Sequence, residues 1–389
     1  MAYIESCSVQ GLAAQINRTI RLNRDVNVFF GGNGSGKTSL LKVLHSALSN
    51  NLSEMKRIAL HSATVVITDA YIEGNECYLP ARITRETPEG YPVPTLRLNA
   101  ASIFGSVNDR TREMKQWNSI SDREGKDISF RHTFLPISRL YYSEEARQEN
   151  AWGLIQPKSE ADLDKSYVDT INFLWLRYTR NIGIDVQTAQ ADGLRAILFD
   201  FLVPESHSIL SDQAPIANPQ KAYEKLLAFL DRQSNFDRES LDEASFAERM
   251  TSDPRLRLVI KDVENVEERV EEILRPRTEL AKILKQMIGS GKEIKLHDRD
   301  IKASGNKQEE ISLEDLSSGE KQLLRIFIDV LLANGQPIII DEPELSLHID
   351  WQRRLLGILR RLAPASQIIV ATHSPEILAE LSDDKIIQL

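Results

Sequence analysis

Two short stretches of this 389-residue chain carry residue types arranged for phosphate chemistry. The first, Gly31-Gly32-Asn33-Gly34-Ser35-Gly36-Lys37-Thr38, fits G-x-x-x-x-G-K-[ST] at every position. Its glycines let successive backbone N–H groups turn inward around phosphate oxygens, and a following helix adds the positive end of its dipole. Lys37 is placed to reach β and γ phosphates, and the Thr38 hydroxyl to ligate Mg²⁺. Asn33, Gly34, Ser35, Gly36 and Ser39 complete the expected cradle. The second stretch, Pro337-Ile338-Ile339-Ile340-Asp341-Glu342, is an apolar strand with acids at its tip. Two acids in one turn divide the work: Asp341 for the metal, Glu342 as the general base that polarises a water aimed at the γ-phosphate. The chemistry expected is hydrolysis of ATP with Mg²⁺.

Three further segments carry a family resemblance. Leu316-Ser317-Ser318-Gly319-Glu320-Lys321-Gln322 resembles the signature motif of ABC-type ATPases, in an LSSGE form. Ser346-Leu347-His348 resembles the D-loop of the OLD-like branch, where E-P-E-x-x-L-H replaces the transporter pattern, and Thr372-His373-Ser374-Pro375 resembles the switch histidine. The order Walker A, signature, Walker B, D-loop, switch is that of the family. The chain thus resembles an ABC-type ATPase of the OLD/RecF/SMC-like branch, and is similar to stand-alone anti-phage defence ATPases such as Septu PtuA, PARIS AriA and the retron-associated ATPases. The resemblance implies that Ser317, Ser318, Gly319 and Glu320, with Ser346, meet the γ-phosphate held on the P-loop of a second copy. It therefore implies a homodimer or higher even oligomer, with His373 reporting nucleotide state. Of a Q-loop there is no clear glutamine, and Arg139 is the one candidate.

These residues need a scaffold. YIESCSV, INRTIRL and DVNVFF read as strands, the last running into the P-loop, and Leu40, Leu41, Leu44 and Leu48 then recur at helical spacing. An antiparallel hairpin is expected over 64–86, irregular surface over 95–130, a strand within 131–142, and helices over 160–235. Leu256, Val259, Val263, Val266, Val270 and Ile273 form a heptad stripe that Pro276 should interrupt, and Leu280, Ile283 and Met287 resume it. The pair reads either as a short stalk or as two bundle helices. Two strands around Ser304-Gly305-Asn306 are expected over 293–313, followed by alternating helices and strands that imply a parallel sheet. The fold expected is α/β, a P-loop NTPase with an ABC-type head of mixed sheet plus antiparallel β subdomain, and a helical insertion. Its parts would be 1–144 (N-terminal part of the head, Walker A), 145–288 (helical insertion, read as a short stalk or bundle helices, that gives the chain its particular partner) and 289–389 (C-terminal part of the head with signature, Walker B, D-loop and switch).

Composition narrows the function classes. Hydrophobic residues at 41% and charged residues at 27% suit a globular chain rather than a disordered one. The formal charge of −9 argues against a surface wholly devoted to nucleic acid. Lys292, Lys295, Arg299, Lys302 and Lys307 could touch phosphates, but Glu293, Asp298 and Asp300 interleave with them, which also fits a solvated hairpin. Only Cys7 and Cys77 are present, so a reducing, cytoplasmic setting is expected. No apolar run approaches the ~20 residues of a membrane span, and no signal peptide is visible. Because the chain stops at KIIQL soon after His373, with no nuclease domain following, any effector, a nuclease or toxin, is expected to be a separate polypeptide. The function read from these features is regulation of that effector in bacterial defence; the alternative is a DNA-repair or chromosome-maintenance ATPase that binds nucleic acid. A membrane-transporter role is set aside.

Overall fold

The structure, a computed structural model, describes residues 2–13, 16–55, 58–69, 72–73, 76–77, 81–88, 116–121, 129–136, 160–202, 218–233, 242–288, 291–305 and 309–389. Within them the elements run β1 (Ala2–Leu12), β2 (Ile16–Arg21), β3 (Val26–Phe30), α1 (Lys37–Ser49), β4 (Ser62–Asp69), β5 (Ile72–Glu73), β6 (Glu76–Cys77), β7 (Ala81–Glu86), β8 (Asn118–Ser121) and β9 (Thr133–Leu135). The chain continues through α2 (Glu160–Leu202), α3 (Pro219–Gln233), α4 (Glu243–Ser252), α5 (Pro254–Met287), β10 (Lys292–Leu296), β11 (Ile301–Gly305), β12 (Glu310–Ile311) and α6 (Ser318–Ala333). It ends with β13 (Ile338–Asp341), α7 (Ile349–Leu362), β14 (Ile368–Thr372), α8 (Pro375–Leu378) and β15 (Ile386–Gln388).

Isoleucine and valine runs without polar alternation suit strands covered on both faces. Ile338, Ile339, Ile340, Ile368, Ile369 and Val370 are accordingly buried, in a five-stranded parallel sheet of order β15-β3-β14-β13-β9. A second five-stranded sheet, β2-β1-β4-β7-β8, is antiparallel. The helix α1 gathers Leu40, Leu41, Val43, Leu44, Ala47 and Leu48 on one buried face, the amphipathic pattern of a helix packed on a core. Its Leu40, Leu41, Leu44 and Leu48 share one core with Ile4, Val65 and Ile67 of the antiparallel sheet and Ile339 and Ile369 of the parallel one. The P-loop helix is thus wedged between the two sheets. Register then sets the functional edge: Phe30 lies beside Thr372, and Asp341 beside Ala371. The loops leaving the carboxyl ends of β3, β13 and β14 emerge side by side, where ligands of parallel sheets are commonly held.

Several expectations are corrected. Within the stretch read as irregular, the short polar strand β8 adds to the antiparallel sheet by pairing with β7, which no apolar period announces. The strand expected within 131–142 is short, Thr133–Leu135, and Arg139 lies outside the described residues. The two strands expected over 293–313 are three, β10-β11-β12; Asn306 and Lys307 lie outside the described residues. Pro276 sits inside the continuous helix α5 rather than ending it. A proline here forfeits one backbone hydrogen bond and crowds the preceding turn. Burial on both sides of it, through Val263, Val266 and Val270 before and Leu280, Ile283 and Leu284 after, outweighs that cost.

The chain divides into two compact units, one of Met1–Trp175 with Leu280–Leu389, the other of Leu176–Glu279. In the second, Val263, Val266 and Val270 pack with Ala189 and Phe229, so the heptad stripe is spent inside its own unit. Gly193 permits this approach, since a Cβ there would lie 2.0 Å from Val266 Cγ2.

Candidate active site

The P-loop leaves β3 through glycines the backbone requires. Gly34 (φ 82°) and Gly36 (φ 92°) occupy the left-handed region, which any other residue enters at a cost. Gly36 is the N-cap of α1 with no side-chain cap bond, so the first N–H groups of the helix face the loop. Lys37 is 5% exposed and folds back on this loop, its Nζ donating to the carbonyls of Gly31 (2.8 Å) and Gly32 (3.0 Å). Ser35 Oγ is buried and has no hydrogen-bond partner among the described residues. A buried hydroxyl without a partner, next to left-handed glycines and an ammonium bonded to carbonyls, is a set of groups that fits an anion with many oxygens. Thr38 and Asp341 offer hard oxygen donors, the kind Mg²⁺ takes.

At the neighbouring strand end, Asp341 is 1% exposed and Glu342 turns the chain sharply at φ 47°. This turn brings the Glu342 carboxylate to the lysine: Oε1 lies 3.7 Å from Lys37 Nζ. Its Oε2 is hydrogen-bonded to His373 Nδ1. Lys37, Glu342 and His373, far apart in sequence, therefore form one contiguous chain of polar contacts. Burial, and next the adjoining Glu344 carboxylate, push the Glu342 carboxyl above the ordinary range, while His373 draws it back.

Glu344 is the residue that residue-type reasoning passed over. Its Oε1 accepts from the Thr372 hydroxyl, from the N–H of His373 (3.0 Å) and from the N–H of Ser374 (3.2 Å), and it lies 3.3 Å from His373 Nδ1. A single buried carboxylate thus staples the switch segment to the turn after β13. Its signal was present in the second acid of Glu342-Pro343-Glu344. Gln352 had none: it lies in α7, accepts from Ser374 Oγ at 2.7 Å and donates to the Leu347 carbonyl at 2.9 Å.

The signature segment caps α6. Ser317 Oγ accepts from the Glu320 N–H (3.3 Å), and Glu320 Oε2 accepts from the Ser317 N–H (2.7 Å), a reciprocal capping box. Ser318 and Gly319 are the first two helical residues. Gly319 is pressed against the D-loop, where a Cβ would come within 2.5 Å of the Ser346 carbonyl. Ser346 itself is left-handed, at φ 64°. Gln322 Nε2 donates to the Pro343 carbonyl at 3.2 Å, so signature helix, D-loop and acidic turn are one connected piece. Two ion pairs tie the same helix to its surroundings: Lys292 with Glu320 (2.9 Å) and Lys321 with Asp164 (3.0 Å). Of the basic residues considered for nucleic acid, Lys292 is thereby engaged, and Lys295 pairs with Glu293 at 3.4 Å.

Residues 206–379 match the AAA domain model described with "AbiEii toxin, Type IV TA system", and residues 7–174 match a second AAA domain model. The chain is 34% identical over 90 residues to the Retron Vc95 probable ATPase of Vibrio cholerae, covering 20% of this chain and 18% of that protein. It is 36% identical over 52 residues to the Septu protein PtuA of Bacillus thuringiensis, 13% of each chain. The alignments thus span less than a fifth of either relative's length. Among solved structures, the Smc head domain with an extended coiled coil bound to the C-terminal domain of ScpA, from Pyrococcus furiosus, matches with a TM-score of 0.42 and 14% identity, over 100% of this chain and 93% of that one. No described helix is long and apolar enough to cross a membrane. The model matches and the two alignments agree with the order of motifs along the chain, so the chain is similar in these segments to ATPases of the ABC/AAA class, the retron protein among them, and to the Septu protein.

Proposed function

We propose that the chain binds ATP with Mg²⁺, closes head to tail with a second copy around the nucleotides, and through hydrolysis regulates a separate effector, a nuclease or toxin, in bacterial anti-phage defence. The observation that carries the reading is the Lys37, Glu342 and His373 cluster at the carboxyl edge of the parallel sheet. On binding, the Lys37 ammonium exchanges the Gly31 and Gly32 carbonyls for β and γ phosphate oxygens, and the P-loop N–H groups and Ser35 hydroxyl complete the cradle. Thr38 and Asp341 would hold Mg²⁺, which supplies neutralisation of phosphate charge. Glu342, freed of the lysine, takes the proton of the attacking water, and its raised proton affinity suits a base. His373 bonds one oxygen of that carboxylate and so fixes the orientation of the other. Ser317, Ser318 and Gly319 offer helix N-terminal donors to the γ-phosphate of the second copy.

The effector reading rests on the likeness to the retron and Septu proteins, with the helical insertion over 145–288 as the part that grips the effector. Two cysteines in the whole chain accord with action in the cytoplasm. Glu342→Gln keeps shape and loses the base, a role worth ~10²–10⁴ in rate. It should bind ATP, fail to turn over, accumulate as an ATP-dependent dimer in sedimentation, and retain the effector in ATP pull-downs. Wild-type turnover by this variant removes Glu342 as the base. Salt-sensitive retention of DNA with no protein partner replaces the defence reading by the chromosome-maintenance one.

A further inference from the structure

The signature of this chain carries a carboxylate at the very helix end that should receive an anion. Glu320 occupies the third position of α6, and its Oε2 accepts the Ser317 N–H at 2.7 Å. The Ser317 oxygen is in turn engaged by the Glu320 N–H, which leaves the hydroxyl hydrogen to donate elsewhere. A helix N-terminus attracts one negative charge well; an ionised side chain already there opposes a second. Among the described residues, one cation answers that charge. Lys292, at the start of β10, places Nζ 2.9 Å from the same Oε2, with both side chains largely covered, at 31% and 12% exposure. Burial raises the Glu320 carboxyl, yet the Lys292 bond and the Ser317 N–H outweigh it and hold the group below the ordinary range, hence ionised.

We propose that Lys292 is a positioning residue of the signature: by neutralising Glu320 and fixing its rotamer, it lets Ser317, Ser318 and Gly319 engage the γ-phosphate held by a second copy. The proposal rests on the head-to-tail reading above. It also assigns to Lys292 a task other than contact with nucleic acid.

The test uses the full chain carrying Glu342→Gln, with ATP-dependent dimerisation read by sedimentation and ATP affinity of the monomer read by calorimetry at low protein concentration. Adding Lys292→Ala should weaken dimerisation about tenfold or more, the size of a lost charge-assisted bond, while monomer affinity for ATP stays unchanged. Lys292→Arg should retain dimerisation. Adding Glu320→Gln to Lys292→Ala should recover it to the level of Glu320→Gln alone, because the amide oxygen still accepts the Ser317 N–H and needs no counter-charge. A double variant as weak as Lys292→Ala, or a Lys292→Ala variant that dimerises normally, overturns the role of Lys292 alone. A Glu342→Gln parent that never dimerises with ATP overturns the head-to-tail reading, and this proposal with it.

Discussion

Lys37 has three partners in this structure, two carbonyls and the Glu342 carboxylate, and all of them are anionic or dipolar substitutes for phosphate oxygens. Among the described residues no second ammonium lies on the loop, so Lys37→Ala should abolish ATP binding, which unchanged affinity in calorimetry would contradict. Glu344 is held differently, by what it accepts. Glu344→Ala leaves the Thr372 hydroxyl and the His373 N–H without that acceptor, at about 1–3 kcal/mol for a buried group left unmade, while the Ser374 N–H keeps the Thr372 oxygen at 2.9 Å. The expected result is a lower Tm together with a loss of kcat as His373 drifts from Glu342. Glu344→Gln should restore Tm, since its carbonyl oxygen accepts the same N–H groups; recovery of neither quantity would mean the carboxylate acts otherwise.

The helix α1 and the segment entering β9 are joined by a histidine pair, His45 Nδ1 to His132 Nε2 at 2.6 Å, with His132 Nδ1 on the Phe130 carbonyl and His45 stacked on Phe134. Burial, and then the neighbouring ring, lower His45 from 6.5 to about 3, and burial lowers His132. Both rings are therefore neutral in the folded chain at pH values where the unfolded chain has begun to bind protons. A depressed histidine contributes fully above pH 6.5, and the contribution is lost progressively as pH falls from there toward about 3. Tm should decline over that window, and His45→Gln should flatten the slope. A slope unchanged by the substitution would assign the acid sensitivity to other groups. The consequence is local to the site, because α1 carries the P-loop and β9 flanks β13.

One P-loop and one signature per chain mean that the proposed pair of sites requires two chains. Within one chain the signature helix is tied to the acidic turn and D-loop, through Gly319 against Ser346 and Gln322 on Pro343. The γ-phosphate that the signature of one copy would meet is held beside Lys37 and Glu342 of the other, so the tie between signature helix and acidic turn would link the two sites. Mixing a Lys37→Ala chain with a Ser318→Arg chain should yield heterodimers with at most one competent site, and neither variant alone should hydrolyse ATP. Normal turnover by either one as a monomer would end the head-to-tail account.

Much of the site was legible because its motifs are local. A strand, a glycine loop and a helix are contiguous from Val26 to Ser49, so spacing alone places Lys37 and Thr38. The caps that form at Ser317 with Glu320 and at Ser374 before Pro375 are equally local in the chain. Where local rules met tertiary contacts, the contacts prevailed: Pro276 stays helical with buried residues on both sides, and the polar NSIS of β8, exposed at Ile120, becomes a strand by pairing with β7. What no spacing could give is which groups touch. The register of β3, β14 and β13 brings Lys37 to Glu342 and His373, and the fold brings Lys292 to Glu320 and Asp164 to Lys321. Residue types and their short-range order specify which donors, acceptors and charges exist, since those follow from side-chain chemistry and backbone period. Their pairing depends on contacts between segments distant in the chain, and those are decided only when the two sheets close on α1 and exclude water from between them.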